Sequence, residues 1–196
     1  MISADTAFAL IEKTETNLKL IEQISGDFFA PVLNEWRYAI RHIVSTFIQR
    51  DFSGLEADKA LGHLKRAYFD SCDILLDCQL NLLRTFHQKC LGYSESVKKI
   101  IPEYPSLLET VRNAQKMHLS VQSKHDKERE VAFDSLAPTI DSLSDILNKL
   151  DFHADEIAVM IRRAKRWEAL KTTSIVSGII VSIVTIGQII ANVFSK

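Results

Sequence analysis

The chain has 196 residues, 46% hydrophobic and 25% charged, with six glycines and four prolines. That composition excludes wholesale disorder, collagen-like repeats and turn-rich all-β folds, and bounds the chain at one domain with an extension or two small domains. The formal charge of −1 hides an asymmetry: Arg162, Arg163, Lys165, Arg166 and Lys171 stand against Glu168 alone, immediately before the most apolar stretch, which argues against a freely soluble monomer.

In chain order, everything before that stretch reads as helix. Ser3 to Ile24 carries Phe8, Ile11, Leu18 and Ile21 at helical spacing and stops at Ser25-Gly26. Pro31 suits a first turn and opens a second helix to about Arg50. Asp51 to Gly54 is a turn, and a long third helix runs from Leu55 to Cys90 with Gly92 as its cap. Ser94 to Ile101 is a short helix, followed by a bend between Pro102 and Pro105. A fifth helix is predicted from Ser106 to about Leu136, with Pro138 as a kink or break. No segment alternates with period two for long enough to be a strand.

The sixth helix has the most regular pattern. Leu136, Ile140, Leu143, Leu147, Leu150, Ala154, Ile157, Ile161 and Ala164 follow a 4-3-4-3 spacing, a heptad seam. Neither Gly nor Pro falls between Thr139 and Ser177, so one continuous helix is expected to pass through the basic block. The seam packs on the chain's own helices or forms a multimeric, coiled-coil stalk.

Thr172 to Ser195 holds no charged residue over 24 positions. A helix of that length rises about 36 Å, against a hydrocarbon core of roughly 30 Å. A single transmembrane helix at 172–195 is expected, and the basic block on its N-terminal flank sets that side in the cytoplasm. The same block is suited to anionic lipid headgroups or, gathered into a ring in an oligomer, to a nucleic-acid or nucleotide ligand. Ser174, Ser177, Gly178, Ser182, Thr185, Gln188 and Asn192 share one side of the helical wheel, opposite Ile179, Ile183, Ile186, Ile190 and Phe194. A polar stripe is out of place against lipid; it fits a tight small-residue interface or the wall of a water-filled pore.

Cys72, Cys78 and Cys90 are odd in number, form no C-x-x-C pair and read as buried reduced thiols in a reducing compartment. Met1 to Leu10 lacks the charged-then-apolar order of a secretory leader. Glycine-rich phosphate loops, nucleophile elbows and metal-ligand spacings are missing from the sequence, so no cofactor or metal is expected. One element suggests chemistry. Arg37 and His42 are five positions apart on the second helix and do not share one face. In a dimer such a pair could converge on an RNA phosphate, Arg for charge and His for acid–base work.

The stretch from Leu33 to His42, with Arg37 and His42, resembles the R-x(4–6)-H signature of HEPN (higher eukaryote and prokaryote nucleotide-binding) domains. Lys59 to Asp70 is similar to the long helix that follows in HEPN-like domains of prokaryotic defence systems. The resemblance covers roughly residues 1–130. Tyr38 departs from it, because many active HEPN ribonucleases carry a polar residue after the arginine. HEPN-like bodies joined to membrane helices resemble membrane effectors of antiviral defence, such as the membrane accessory of type VI CRISPR systems or the channel component of the Hailong system. The resemblance implies an oligomeric membrane effector, gated by a nucleic-acid or nucleotide signal and acting with a defence-system partner protein.

The expectation is an all-α, single-pass inner-membrane protein with its N-terminal body in the cytoplasm. Residues 1–135 form the HEPN-like helical body, 136–171 a heptad stalk with its basic juxtamembrane segment, and 172–195 the membrane helix. The expected function is a homo-oligomeric pore that depolarises or permeabilises the cell in abortive antiviral defence. The alternatives are a membrane-tethered HEPN-type ribonuclease using Arg37 and His42, and a non-conducting tether for a partner.

Overall fold

The computed structural model of the chain describes residues 4–27, 29–50, 54–123, 128, 132–133, 135–167 and 170. The expected membrane helix at 172–195, its seven polar-stripe residues from Ser174 to Asn192, and Lys171 lie outside the described residues. Among the described residues there is no strand, and no helix is long and apolar enough to cross a membrane.

The helices are α1 (Ala4–Ser25), α2 (Ala30–Gln49), α3 (Leu55–Cys90), α4 (Ser94–Ile100), α5 (Tyr104–Gln122) and α6 (Ala137–Phe152), and residues 154–167 are again helical. Local chemistry fixes their ends. Gly26 takes a left-handed φ of 71° and its N–H closes on the Glu22 carbonyl at 2.8 Å, which stops α1. Pro31, Pro105 and Pro138 each sit in a first turn, where the missing N–H costs nothing. Glu56 and Asp58 open α3 and His87 and Lys89 close it, the order its dipole favours.

α3 is the spine. At 36 residues it is about 54 Å long. α2 returns antiparallel along its N-terminal half, pairing His42 with Glu56 and Glu35 with His63. α1 crosses its middle, where Asn17 donates to Ser71 Oγ at 2.9 Å. α5 runs antiparallel to it, with Tyr104 beside His87 and His118 beside Asp73. α6 lies antiparallel to α5, with Thr139 beside Met117 and Lys149 paired with Glu103, and so parallel to α3, where the buried Gln79 amide donates to the Ile140 carbonyl and to Ser144 Oγ. The core forms where these faces meet: Ile21 of α1, Leu75, Leu76 and Leu80 of α3, Ile101, Tyr104 and Val121, Phe133, and Leu136, Ile140, Leu143 and Leu150.

Three expectations need correction. α5 ends at Gln122, where the Ser123 N–H turns back to the Leu119 carbonyl, rather than running to Leu136. Gly92 does not cap α3 in a left-handed turn: Leu91 keeps right-handed dihedrals and residues Leu91–Tyr93 tighten into a 3-10 turn. Pro138 is a break, as expected, and stands in the first turn of α6. The heptad helix is not continuous, for at His153 (φ −98°, ψ 5°) it turns before resuming at 154. The seam itself splits at that joint. Leu136, Ile140, Leu143, Leu150 and Ile157 are buried in the chain's own core, while Ala154 is exposed. Over the described residues the seam is thus spent mainly within the chain.

The cysteines are free thiols: Cys72 and Cys90 are buried and Cys78 is half-buried. Burial pushes both the Cys78 and the Cys90 thiol above the ordinary thiol range.

Candidate functional site

The α2–α3 hairpin carries a crossed pair of histidine–carboxylate contacts. On α2, Glu35 and His42 are seven residues apart; on α3, Glu56 and His63 have the same spacing. Seven residues are nearly two full turns, so each pair lies on one helix face. Antiparallel packing then sets each histidine against the other helix's glutamate. His42 Nδ1 lies 2.7 Å from Glu56 Oε2, and His63 Nδ1 lies 2.7 Å from Glu35 Oε2. The two imidazoles meet between these contacts, with centroids 5.2 Å apart and planes 11° apart.

The stack continues outward. The Tyr38 ring lies 5.3 Å from His63, and the Arg37 guanidinium sits 5.1 Å over Tyr38 and reaches its hydroxyl at 3.4 Å. Arg37, Tyr38, His63 and His42 therefore form one ladder. Arg37 and His42 are not neighbours within it; Tyr38 and His63 separate them.

Electrostatics fix the tautomers. An ionised carboxylate only accepts, so Nδ1 of each ring carries the proton and Nε2 is the nitrogen left for a ligand. Arg66 Nη2 also lies 2.8 Å from His63 Nδ1, but two donors cannot share a bond; the guanidinium instead donates through Nε to Glu35 Oε2 at 2.9 Å. Burial raises the Glu35 pKa, but the hydrogen bonds from His63 and Arg66 outweigh it and hold the carboxyl below its usual range. Lys59 and then His42 hold Glu56 down to about 2. Each ring keeps about a fifth of its side-chain surface open, 20% for His42 and 18% for His63.

Two parallel imidazoles, each oriented by a carboxylate through Nδ1, are set up for phosphate chemistry. Each Nε2 can accept a proton and, once it holds one, can pass it on, with Arg37 and Arg66 supplying positive charge. The arrangement is poorly suited to metal. The nitrogen lone pairs lie in two nearly parallel ring planes, 11° apart, and do not converge on one ion. Among the described residues no group of three His, Cys, Asp or Glu could hold one.

Of the residues singled out from sequence, Arg37 and His42 belong to this ladder, whereas Arg162, Arg163, Lys165 and Arg166 are exposed on the 154–167 helix. Arg163 borders an open cleft of ≈530 Å³, with Lys99 of α4 and with Asp155 and Glu156. Sequence reasoning missed His63, Glu35, Glu56 and Arg66. The repeated E-x6-H spacing on two adjacent helices was the signal that could have found them. His118 is a different case: its side chain is 4% exposed, with Nε2 2.7 Å from Asp73 Oδ1, and it pins α5 to α3.

No family model matches the chain, and neither the curated proteins nor the solved structures include one similar to it.

Proposed function

We propose that the chain is a membrane-anchored helical effector whose C-terminal segments assemble into a pore, and whose body takes a phosphate-bearing signal. The observation that carries this reading is the charge-free run from Thr172 to Ser195 directly after five basic residues. A bilayer accepts such a run as a helix, and the basic flank keeps the body on the cytoplasmic side. The polar stripe through Gln188 and Asn192 supplies groups that hydrate ions. Its place in antiviral defence comes from the resemblance to HEPN-type membrane effectors. Expression of the full chain in bacteria should depolarise the membrane. Gln188→Leu with Asn192→Leu should lower depolarisation at equal membrane content, and Ile183→Leu with Ile190→Leu should not. Full-length protein in the soluble fraction, or equal depolarisation by the first pair, overturns the pore.

A second reading is favoured by the two stacked imidazoles: a tethered, metal-independent ribonuclease using His42 and His63 with Arg37. Purified full-length protein would then cleave single-stranded RNA in EDTA, and His63→Ala or His42→Ala would remove the cleavage. RNA left intact by the wild type dismisses this reading.

A further inference from the structure

α2 buries one face and leaves another apolar face in solvent. Val32, Ala39 and Thr46 are buried on the face packed against α3. Roughly a third of the way round the helix, Leu33, Ile40, Val44, Phe47 and Ile48 are 42% to 78% exposed. Leu33, Arg37, Ile40, Val44 and Phe47 run 33-37-40-44-47, a 4-3-4-3 seam over about four turns, with Ile48 beside it. Among the described residues α3 is the principal packing partner of α2, which makes α2 an edge helix of that part of the body.

We propose that this face pairs with the same face of a second copy of the chain, α2 against α2, side by side and parallel. Three observations carry it. The first is spacing: a 4-3-4-3 apolar line is the pattern by which two helices interlock, and a single charged position in such a line selects register and partner number. Arg37 is that position, with its guanidinium drawn off over Tyr38. The second is area. The exposures of the five residues amount to about 500 Å², so a symmetric pair hides on the order of 1,000 Å² in all, the threshold that a biological interface has to clear. The third is direction. α6 runs parallel to α3, and the 154–167 helix lies against Lys99 and Ile100, beyond the C-terminal half of α3. α2 lies along the N-terminal half, so the face stands away from the end at which the basic block leaves the body. Copies anchored in one membrane share that direction, and a two-fold axis along α3 then sets the α2 helices parallel. The pairing rests on the membrane reading for this direction alone.

The test uses the full chain in membranes of expressing cells. Leu33→Cys and Val44→Cys, made singly and oxidised with copper phenanthroline, should each give a disulfide-linked dimer; the wild type, with Cys72 and Cys90 buried and Cys78 half-buried, should give none. Adding Ile40→Glu should abolish the Leu33→Cys dimer while helix content stays unchanged, because Ile40 is exposed. Cross-linking only in the Leu33→Cys, Ile48→Cys double variant means antiparallel pairing and overturns the proposal. So does Val44→Cys that forms no dimer yet resists a water-soluble maleimide, which assigns the face to lipid or to another protein. Carbonate extraction of the same membranes reads the anchor separately. A chain that carbonate releases but that cross-links at both single positions keeps the interface and loses the membrane reading alone.

Discussion

The imidazole of His42 lies flat on that of His63, and each ring is held by a glutamate from the opposite helix. The arrangement has an approximate internal two-fold: Glu35 and His42 on one helix of the hairpin are matched by Glu56 and His63 on the other. A shift of one residue in the α2–α3 register would break both contacts at once, so the crossed pair also fixes how the two helices meet.

Replacing His63 by Phe keeps a ring in the stack and deletes the Nδ1–H that Glu35 uses. Glu35 then retains Arg66 alone. A hydrogen bond to a charged group contributes about 1.5–3 kcal/mol, and the variant should lose about 1–2 kcal/mol because the packing survives. Urea unfolding of His63→Phe, Glu35→Gln and their combination checks this as a cycle, with the two effects failing to add. Additive losses would show that the 2.7 Å contact contributes no coupling.

Leu143 is fully buried at the centre of the α3–α6 contact. Leu143→Ala should cost about 2–5 kcal/mol, the transfer loss plus the cavity left behind. Leu119→Ala, on an exposed position of α5, should move the urea midpoint hardly at all. The comparison separates a seam used within the chain from one used between chains, because the first loses stability at any protein concentration.

Arg50 ends α2 with φ 53° and ψ 27°, a left-handed conformation in which a Cβ is strained. Arg50→Gly removes that strain and should raise stability by about 0.5–1 kcal/mol, read as a higher thermal midpoint. Arg50→Val should lower it, since a β-branched side chain tolerates this conformation least.

Acid should weaken the hairpin through Glu56. Its carboxyl has an ordinary pKa of 4.5 when unfolded and about 2 when folded, because Lys59 and His42 hold it ionised. A group with a lowered folded pKa stabilises the fold above its unfolded value and ceases to do so as pH falls through its folded value. The stability difference between wild type and Glu56→Gln should therefore be constant above about pH 5 and vanish between pH 4.5 and 2. Glu35, and Glu103 with Lys149, add to the acid limb in the same direction.

Local signals made most of the helices legible. α3 begins and ends where Gly54 and Cys90 suggested, and Pro31 opened α2 within a residue of the expected start. Legibility failed where the outcome depends on a partner helix. The heptad seam gave no hint of the turn at His153, because no breaker residue stands there and the burial pattern changes only in three dimensions. Arg37 and His42 were visible as a spaced pair, but Glu56, which holds His42, sits 14 residues away on α3, and the His63 that stacks on it lies on α3 as well. Pairing across a hairpin depends on register, and register was readable only from the repeated spacing of Glu and His.

A spine that serves four neighbours also sets the order in which the molecule loosens. Amides in the middle of α3, around Leu75 to Leu83, are shielded by α1, α5 and α6 together and open only when the whole body does. α2 rests on α3 chiefly along one face, so it can swing away while the rest stays folded. Its backbone hydrogens should exchange with deuterium well before those of α3. If a second copy covers its outer face, that exchange should slow as the protein is concentrated, and the loosening of one helix becomes a gauge of one chain's encounter with another.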